Sequence, residues 1–257
     1  MDVKNLFSLE GKKGFITGST RGIGKTLATA FIELGADVAI LGTNGETAKA
    51  VAAELGAGKP NMVIGYECKV TEPESVNAMI AAYERDFGDI DFAINNAGIF
   101  TGDPALDIDP ETFKSVIDVN LYGEFLTAQA AAKLMVKLGK KGSIVNTASM
   151  SAHIVNRPQT IANYNASKAG VIQLTKSLAV EWLKYGIRVN CVSPGYMQTE
   201  LIATMSDMLP VWQGMMPEGA RLGFPPDLIG AYVYFASDAS EYATGSDLVV
   251  DGGYTIV

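Results

Sequence analysis

The sequence predicts an α/β fold in which one doubly wound, parallel sheet of seven strands carries helices on both faces. Three observations predict it. Apolar segments typical of buried strands alternate with amphipathic helical segments along the chain. The connections between consecutive strands are too long for hairpins, which favours parallel pairing through right-handed crossovers. The first strand candidate leads through a glycine-rich turn into a helix, which is an order typical of anion-binding turns.

Composition and charge fit one large domain and exclude some partners. The chain has 257 residues, of which 48% are hydrophobic, and a formal net charge of −8 at pH 7. This length can bury a substantial core, and no linker divides it, so we expect a single domain over residues 1–257. The negative charge disfavours nucleic acid and anionic membrane surfaces as partners. An anionic ligand would need local cations and backbone amides.

The cysteines and the first residues predict a cytoplasmic protein. Cys68 and Cys191 each end an apolar segment and are expected to be buried, reduced thiols. The segment Met1–Asn5 lacks the basic and apolar pattern of an export signal, and no apolar segment approaches membrane length. No group of potential metal ligands has the spacing of a metal site, so we propose no metal.

The glycine-rich turn Gly18–Gly24 is the first candidate for ligand binding. It lies between the strand candidate Gly14–Thr17 and a helical pattern that ends at Gly35. Glycine allows a tight turn and a close approach of the backbone, while the free amides at the helix start attract an anion. This turn is therefore expected to hold the pyrophosphate of a dinucleotide.

The end of the second strand, Asp37–Leu41, bears on the choice between NADP and NAD. Many NAD-dependent folds place a carboxylate there to bind the adenosine ribose. This chain has Gly42, Thr43 and Asn44 instead. Because no carboxylate would repel a 2′-phosphate and Arg21 is available in the turn, we favour NADP(H). NAD(H) stays possible, since Arg21 is also typical of a solvated loop.

The alternation of helices and strands continues through the rest of the chain. Glycines end two helical patterns, at Gly56 and Gly88, and Asp109 with Pro110 has the sequence of a helix start. The further strand candidates are Met62–Tyr66, Ile90–Ile94, Ser143–Asn146, Ile187–Val192 and Leu248–Val250. The later helices are expected from Asp109 to about Leu138, with Asn120 inside, from Ile161 to Tyr185 and from Asp227 to Ala236.

An irregular segment at about 195–226 is rich in methionine. Methionine side chains are flexible and adapt to apolar partners. The segment is therefore expected to be either a flap over the substrate or a contact between subunits, and the sequence does not decide between them. The segment contains the methionines Met197, Met205, Met208, Met215 and Met216, together with Trp212.

Tyr164 and Lys168 lie four residues apart in the helical segment from Ile161. This spacing places the phenol and the ammonium on one face of the helix. A nearby cation favours the ionised phenolate, so Tyr164 becomes a candidate general acid or base. Such a pair also occurs in ordinary helices, and only the other motifs of the chain favour a catalytic role.

Taken together, these motifs resemble the short-chain dehydrogenase/reductase family from end to end. The resemblance implies a single Rossmann-type domain for cofactor and catalysis, a small-molecule substrate and a homotetramer. It rests on Thr17-Gly18-x-x-x-Gly22-Ile23-Gly24, Asn95-Asn96-Ala97-Gly98, Asn120, Ser151, Tyr164-x-x-x-Lys168 and Pro194-Gly195.

The resemblance implies a role for each matching residue. Tyr164 would be the proton donor or acceptor to the reacting oxygen, and Ser151, with Ser149 as the alternative, would hold that oxygen. Lys168 would act on Tyr164 and bind the nicotinamide ribose, and Asn120 would hold a water that links Lys168 to solvent. The implied cofactor contacts are Gly18, Arg21, Gly22, Ile23, Gly24, Thr43, Asn44, Val70, Asn95, Ala97, Gly98, Tyr164, Lys168, Pro194, Gly195, Met197 and Thr199, and the substrate contacts are Ser151, His153 and Tyr164.

One position departs from the family pattern. After the third strand the family usually has an aspartate that meets the adenine, and this chain has Lys69 there. The usual side-chain contact is therefore in doubt, although the backbone of Val70 can still serve.

The segment from Ser149 to Gln159 resembles the polyol and ketose branch of the family, which includes mannitol, sorbose and xylulose enzymes. Its polar side chains, among them His153 and Asn156, suit a polyhydroxylated substrate or the backbone of their own loop. We therefore expect hydride transfer between NADP(H) and a secondary alcohol or ketone, most simply a sugar alcohol and its ketose. A keto-gluconate or 3-ketoacyl reductase, or a catalytically silent cofactor-binding sensor or scaffold, is the alternative.

Overall fold

The computed structural model describes residues 3–200 and 206–257. Within these ranges the strands form one parallel sheet of seven, in the order β3-β2-β1-β4-β5-β6-β7. The predicted fold class is thereby confirmed, and every predicted strand is present. The strands are β1 Lys13–Ile16, β2 Asp37–Gly42, β3 Val63–Glu67, β4 Phe92–Asn95, β5 Gly142–Thr147, β6 Ile187–Pro194 and β7 Asp247–Val250.

The helices of the described ranges cover both faces of the sheet. Residues of α2, α3 and α9 join one hydrophobic cluster, and residues of α4, α6 and α7 join another on the opposite face. The helices are α1 Val3–Leu6, α2 Gly22–Glu33, α3 Gly45–Gly56, α4 Pro73–Phe87, α5 Pro110–Ile117, α6 Gly123–Leu138, α7 Ala162–Trp182, α8 Leu209–Gly214 and α9 Ile229–Ala236.

Strand β1 illustrates why the strand segments are apolar almost throughout. Phe15 packs into the cluster under α4 and α6, while its neighbour Ile16 packs into the cluster under α2 and α9. Both side chains are fully buried. A parallel strand covered on both faces has no solvent-facing side, so its sequence does not alternate with polar residues.

The strand order reverses direction between β1 and β4. From β1 the chain builds outward to β2 and β3, and it then returns to place β4 on the other side of β1, with Ile16 opposite Ile94. The connections that follow these two neighbouring strands leave in opposite directions. A crevice therefore opens outside their carboxyl ends, where ligands bind in sheets of this type.

Two segments differ from the sequence prediction. The helix expected from Asp109 to about Leu138 is divided into α5 and α6 by one π-helical turn, Asp118–Tyr122. In such a turn the backbone hydrogen bonds span five residues instead of four. The segment at about 195–226, predicted to be irregular, contains α8, whose Trp212 is fully buried. Met205, which also belongs to that prediction, lies outside the described residues.

Among the described residues, none of the helices has the length and apolar character needed to cross a membrane.

Candidate active site at the carboxyl edge of the sheet

The turn after β1 has the backbone of an anion cradle. Gly18 and Gly22 adopt positive φ angles of 63° and 54°, a backbone conformation that glycine adopts much more readily than other residues do. Helix α2 starts at Gly22 without a side-chain cap, so the amides of its first turn are left for a ligand. A Cβ at Gly24 would lie 2.3 Å from the Gly18 carbonyl oxygen and 2.6 Å from Asn96 Nδ2. The turn is therefore compact only because Gly24 has no side chain.

Hydrogen bonds join the turn after β4 to the end of β1. The Thr17 hydroxyl accepts the backbone amides of Asn96 at 2.9 Å and Ala97 at 3.0 Å. The Asn96 side chain donates in return to the Thr17 carbonyl at 3.1 Å. These bonds hold the two sides of the crevice at a fixed separation.

A buried network of side chains lies directly beneath the crevice. Asn95 Nδ2 donates to Asn146 Oδ1 at 2.9 Å, and Asn146 Nδ2 donates to Thr175 Oγ1 at 2.9 Å. Thr127 Oγ1 donates to Asn95 Oδ1 at 2.7 Å. The four residues lie on β4, β5, α6 and α7, so this network connects the strand ends to α6 and to α7, which carries Tyr164 and Lys168.

Tyr164, Lys168 and Ser151 line one crevice above these strand ends. Tyr164 and Lys168 lie one turn apart in α7, and Ser151 lies in a short 3-10 turn after β5. The Ser149 hydroxyl accepts the Ser151 amide at 3.1 Å and caps this turn. Both serines line the crevice, so Ser151 stays the predicted donor toward a bound oxygen and Ser149 the alternative.

The ammonium of Lys168 is held from two sides. Its Nζ donates to the Thr147 carbonyl oxygen at 2.5 Å and to Glu124 Oε1 at 3.2 Å. The side chains of Lys168 and Glu124 are only 4% and 1% exposed. Burial raises the pKa of Glu124 to about 7, although the Lys168 ammonium acts in the opposite direction.

Asn120 lies in the π-helical turn and is fully buried. Its side chain accepts the Ile99 amide at 2.8 Å and donates to the Ile99 carbonyl oxygen at 2.9 Å. It also donates to Ser167 Oγ at 3.2 Å. The Asn120 amide therefore joins the turn after β4 to α7, and its predicted water-binding role stays a prediction.

The opposite wall of the crevice is aromatic and polar. The Tyr196 hydroxyl donates to Gln159 Oε1 at 2.5 Å and accepts from Asn156 Nδ2 at 3.1 Å. The Tyr196 ring stacks on Trp212 with 4.1 Å between centroids. Burial raises the pKa of Tyr196 well above its usual range, so its hydroxyl stays protonated. Phe100, which also lines the crevice, meets the ring of Tyr164 edge to face at 5.7 Å.

Comparison with known proteins agrees with this geometry. A family model described as enoyl-(acyl carrier protein) reductase matches residues 18–255. A solved structure of a short-chain type dehydrogenase/reductase from Mycobacterium marinum is 46% identical, with a TM-score of 0.94 and 100% coverage of both chains. The chain belongs to the short-chain dehydrogenase/reductase family.

More specific relatives of this short-chain dehydrogenase/reductase act on polyols and ketoses. A sorbose reductase of Candida albicans is 45% identical and aligns with 99% of this chain and 90% of its own length. An NADP-dependent mannitol dehydrogenase of Alternaria alternata is 43% identical over 99% and 96%. A gluconate 5-dehydrogenase of Burkholderia cenocepacia, solved with NADP and tartrate, is 36% identical, with a TM-score of 0.92 and 98% coverage of both chains.

Many of the predicted site residues of this short-chain dehydrogenase/reductase come together in the structure. Those that line the crevice come from the start of α2, the end of β6, the turns after β4, β5 and β6, and α7, although they are far apart in the sequence. They are Ile23, Gly98, Ser151, Tyr164, Lys168, Pro194, Gly195, Met197 and Thr199.

Two residues predicted to contact ligands have protein partners in the structure. His153 is absent from the crevice lining, and its Nε2 lies 2.7 Å from Asp247 Oδ2. It joins the turn after β5 to β7, and its contact with the substrate stays a prediction. Asn95 is 0% exposed and belongs to the buried network, and its contact with the cofactor likewise stays a prediction. In both cases packing between distant elements gave the side chain another partner.

The residues predicted for the adenosine end of the cofactor lie around the ends of β2 and β3. Asn44 caps α3 by accepting the Thr47 amide at 2.9 Å, and Thr43 beside it is exposed. Arg21 is exposed beside the cradle. Lys69 forms an exposed ion pair with Glu72 at 3.6 Å, while Val70 is buried. This region is open to a ligand, and the exposed carboxylate of Glu67 lies opposite Gly42 at the end of β3.

The sequence prediction missed three residues of the site. Tyr196 follows Pro194-Gly195 directly, and this position was an available signal for a residue at the crevice edge. Phe100 comes two residues after the motif Asn95-Asn96-Ala97-Gly98, and this position was likewise a signal for a residue that lines the crevice. Glu124 lies four residues after Asn120, on the same helical face as the buried Ala128, and an acidic residue on an apolar face is a signal that invites a search for its partner.

Proposed function

We propose that the protein is an NADP(H)-dependent oxidoreductase that interconverts a sugar alcohol and its ketose. The observation that carries this proposal is the convergence of Ser151, Tyr164 and Lys168 on one crevice beside the glycine cradle. The polyol and ketose relatives, which match almost the whole chain, support the substrate class.

The residues present fit a nicotinamide dinucleotide. The free amides after Gly22 suit the pyrophosphate, and the compact packing of Gly24 leaves the backbone accessible to it. Exposed Arg21 and the absence of a carboxylate at Thr43 and Asn44 support NADP(H), as does the mannitol dehydrogenase relative. When bound, the nicotinamide supplies or accepts the two electrons of the reaction as hydride.

The protein residues hold the reacting oxygen and move its proton. The Ser151 and Tyr164 hydroxyls donate hydrogen bonds to a ketone oxygen, which polarises the carbonyl. As negative charge develops on that oxygen, Tyr164 transfers its proton, and the Lys168 ammonium stabilises the resulting phenolate. Oxidation of an alcohol uses the same groups in reverse.

The crevice suits an uncharged, polyhydroxylated substrate. Asn156, Gln159 and Tyr196 bring amide and hydroxyl groups to the wall opposite the cofactor turn. The described residues that line the crevice include one cation, Lys168, and that ammonium is already paired with Glu124. A substrate carboxylate would therefore have no free cation there, whereas sugar hydroxyls can exchange hydrogen bonds with the wall.

A keto-gluconate reductase is the second candidate, because the Burkholderia cenocepacia neighbour is a gluconate 5-dehydrogenase. The two candidates can be separated by following NADPH loss with fructose, sorbose, xylulose, 5-ketogluconate and a ketoacyl thioester. The proposal expects the highest kcat/KM with one of the ketoses. If no ketose is reduced but 5-ketogluconate is, the second candidate function is favoured and the first is refuted.

The cofactor proposal has a separate test. We expect a lower KM for NADPH than for NADH with the same ketose, and Arg21→Ala is expected to raise the KM for NADPH about tenfold with little change for NADH. Lys59→Ala, which removes an exposed cation after α3, is the control. A lower KM for NADH in the unmodified protein would refute the choice of NADP(H).

Association into a homotetramer and a cytoplasmic location complete the proposal. An apolar groove on α5, α6 and α7, lined by Leu121, Phe125 and Leu174 among others, supports contact with a second copy. Light scattering after size exclusion measures the subunit number, and a mass of one chain would contradict the tetramer.

The proposed cytoplasmic location is supported by the buried, free thiols Cys68 and Cys191, which suit a reducing compartment. Cell fractionation tests this location.

A further inference from the structure

Glu124 occupies an unusual place for a carboxylate. It is the second residue of α6, directly after the π-helical turn that holds Asn120. The residue is 2% exposed and does not line the crevice, yet its Oε1 lies 3.2 Å from the Nζ of Lys168, which does. Glutamate is rarely buried to this extent unless it is paired. Its pairing here is with a candidate catalytic residue.

The two groups around the Lys168 ammonium differ in what they can do. The Thr147 carbonyl oxygen is part of the end of β5, so it is fixed and uncharged. The Glu124 carboxylate adds a charge that compensates the buried ammonium, and its position is fixed by α6. Hydrogen bonds to charged groups contribute more than those between neutral groups. Of the two partners of the ammonium, only Glu124 therefore changes its charge with pH.

The second carboxylate oxygen, Oε2, is buried and has no hydrogen bond of regular geometry among the described residues, although the backbone of Thr147 is close enough to lower the pKa of Glu124. A residue kept only for stability in such a place would be better replaced by an apolar one, because burying a charged pair rarely stabilises a fold. The carboxylate is thus poorly explained by packing. Its ion pair with Lys168 is the charged contact that the described residues provide for it.

We propose that Glu124 is a positioning residue of the active site, whose carboxylate holds the Lys168 ammonium in the orientation that serves Tyr164. This inference rests on the proposed roles of Tyr164 and Lys168. Glu124 does not touch the crevice, and so it acts through the lysine.

The surroundings of Glu124 make this contact sensitive to pH. Burial raises the pKa of Glu124 to about 7, with Lys168 and the Thr147 backbone acting against the rise. The other titratable groups that influence it are Tyr232 on α9 and Cys191 on β6. Burial raises the pKa of each of them far above neutral, so both stay uncharged. Glu124 is therefore expected to be charged in mildly alkaline solution and neutral in mildly acidic solution.

The deciding experiment compares the pH dependence of kcat for the unmodified protein and for Glu124→Gln. Glutamine keeps the size and one acceptor oxygen but not the charge. Below about pH 6 both proteins have a neutral group at this position, so their kcat values are expected to agree within about twofold. Above about pH 8 the variant is expected to be about tenfold slower, because only the unmodified protein has the carboxylate.

Matched variants separate positioning from a general effect. Glu181→Gln makes the same charge change on the exposed side of α7 and is expected to follow the unmodified profile throughout. Glu124→Asp restores the charge and is expected to recover part of the rate above about pH 8. A purely structural role would instead lower kcat of Glu124→Gln equally at every pH.

The outcomes that overturn the inference are distinct from those that overturn the proposed function. Equal profiles of Glu124→Gln and the unmodified protein, or a loss that does not depend on pH, would overturn the role of Glu124. If Glu124→Gln does not fold, an absence of rate recovery in folded Glu124→Asp relative to Glu124→Ala overturns it instead. Any carbonyl compound that is turned over can serve as substrate, so a wrong substrate class leaves this test intact.

Discussion

The two walls of the crevice are built in different ways. The wall formed by the ends of β4 and β5 with α6 and α7 is backed by buried polar side chains that bind one another, such as Asn95 and Asn146. The opposite wall is aromatic around Tyr196, whose ring is backed by other rings: it stacks on the buried Trp212 and meets Tyr254, near the end of the chain, edge to face at 5.3 Å.

This difference indicates a division of labour between the walls. Buried groups that are hydrogen-bonded to one another have few alternative positions, because a displaced group would lose its partner and no water could replace it. Stacked rings tolerate displacement along their faces and mainly define a shape. The first wall is therefore expected to determine the rate of the chemical step, and the second the affinity for the substrate. Each prediction below can break or sharpen this comparison.

The largest effect is expected from Tyr164→Phe, which removes the proton donor of the first wall. We expect kcat to fall by about a thousandfold, within the range typical of a general acid or base. NADPH binding, measured by fluorescence titration, and the melting temperature are expected to change little, since the phenol is only partly buried. Tyr185→Phe is the control, because it removes an exposed phenol just beyond α7. A fully active Tyr164→Phe protein would contradict the role of Tyr164 as the proton donor.

The next effect concerns the stability of the first wall. Asn146→Ala removes the acceptor of Asn95 Nδ2 and the donor to Thr175, and it leaves a cavity. We expect the free energy of unfolding to fall by about 4 kcal/mol, as measured by urea denaturation. Asn77→Ala, at an exposed position of α4, is the control. A loss below about 1 kcal/mol would mean that the network is not a rigid support.

A smaller effect is the dependence of stability on pH. The pKa of Glu124 is raised from 4.5 to about 7 in the folded protein, so the folded state keeps a proton that the unfolded state releases. The free energy of unfolding therefore falls as pH rises from about 4.5 to about 7, by up to about 3 kcal/mol relative to Glu124→Gln. Urea denaturation at three pH values measures this difference. Parallel stability curves of the two proteins would contradict it.

The smallest effect is expected at the second wall. Tyr196→Phe keeps the stacking on Trp212 but loses the hydroxyl that binds Gln159 and Asn156. We expect the KM for the ketose to rise about fivefold, equivalent to about 1 kcal/mol, with kcat changed less than twofold. Tyr242→Phe, at an exposed position, is the control. A larger change in kcat than in KM would show that this wall also controls the chemical step.

The sequence alone was sufficient for the sheet and for much of the crevice. The apolar strand segments, the glycines of Gly18–Gly24 and the pair Tyr164 and Lys168 each depend on local rules: burial on both faces, a positive φ angle, and helical spacing. In a doubly wound sheet the carboxyl ends of parallel strands share one edge, so residues after separate strands could be assigned to one site.

Only the tertiary structure decided which side chains meet across elements. Lys168 pairs with Glu124 from 44 positions away, and His153 with Asp247 from 94 positions away. The split of the helix at Asp118–Tyr122 and the wall around Tyr196 were also decided there. The physical reason is that a periodic pattern specifies which face of an element is buried, whereas the partner of a buried polar group is chosen by the packing of distant elements.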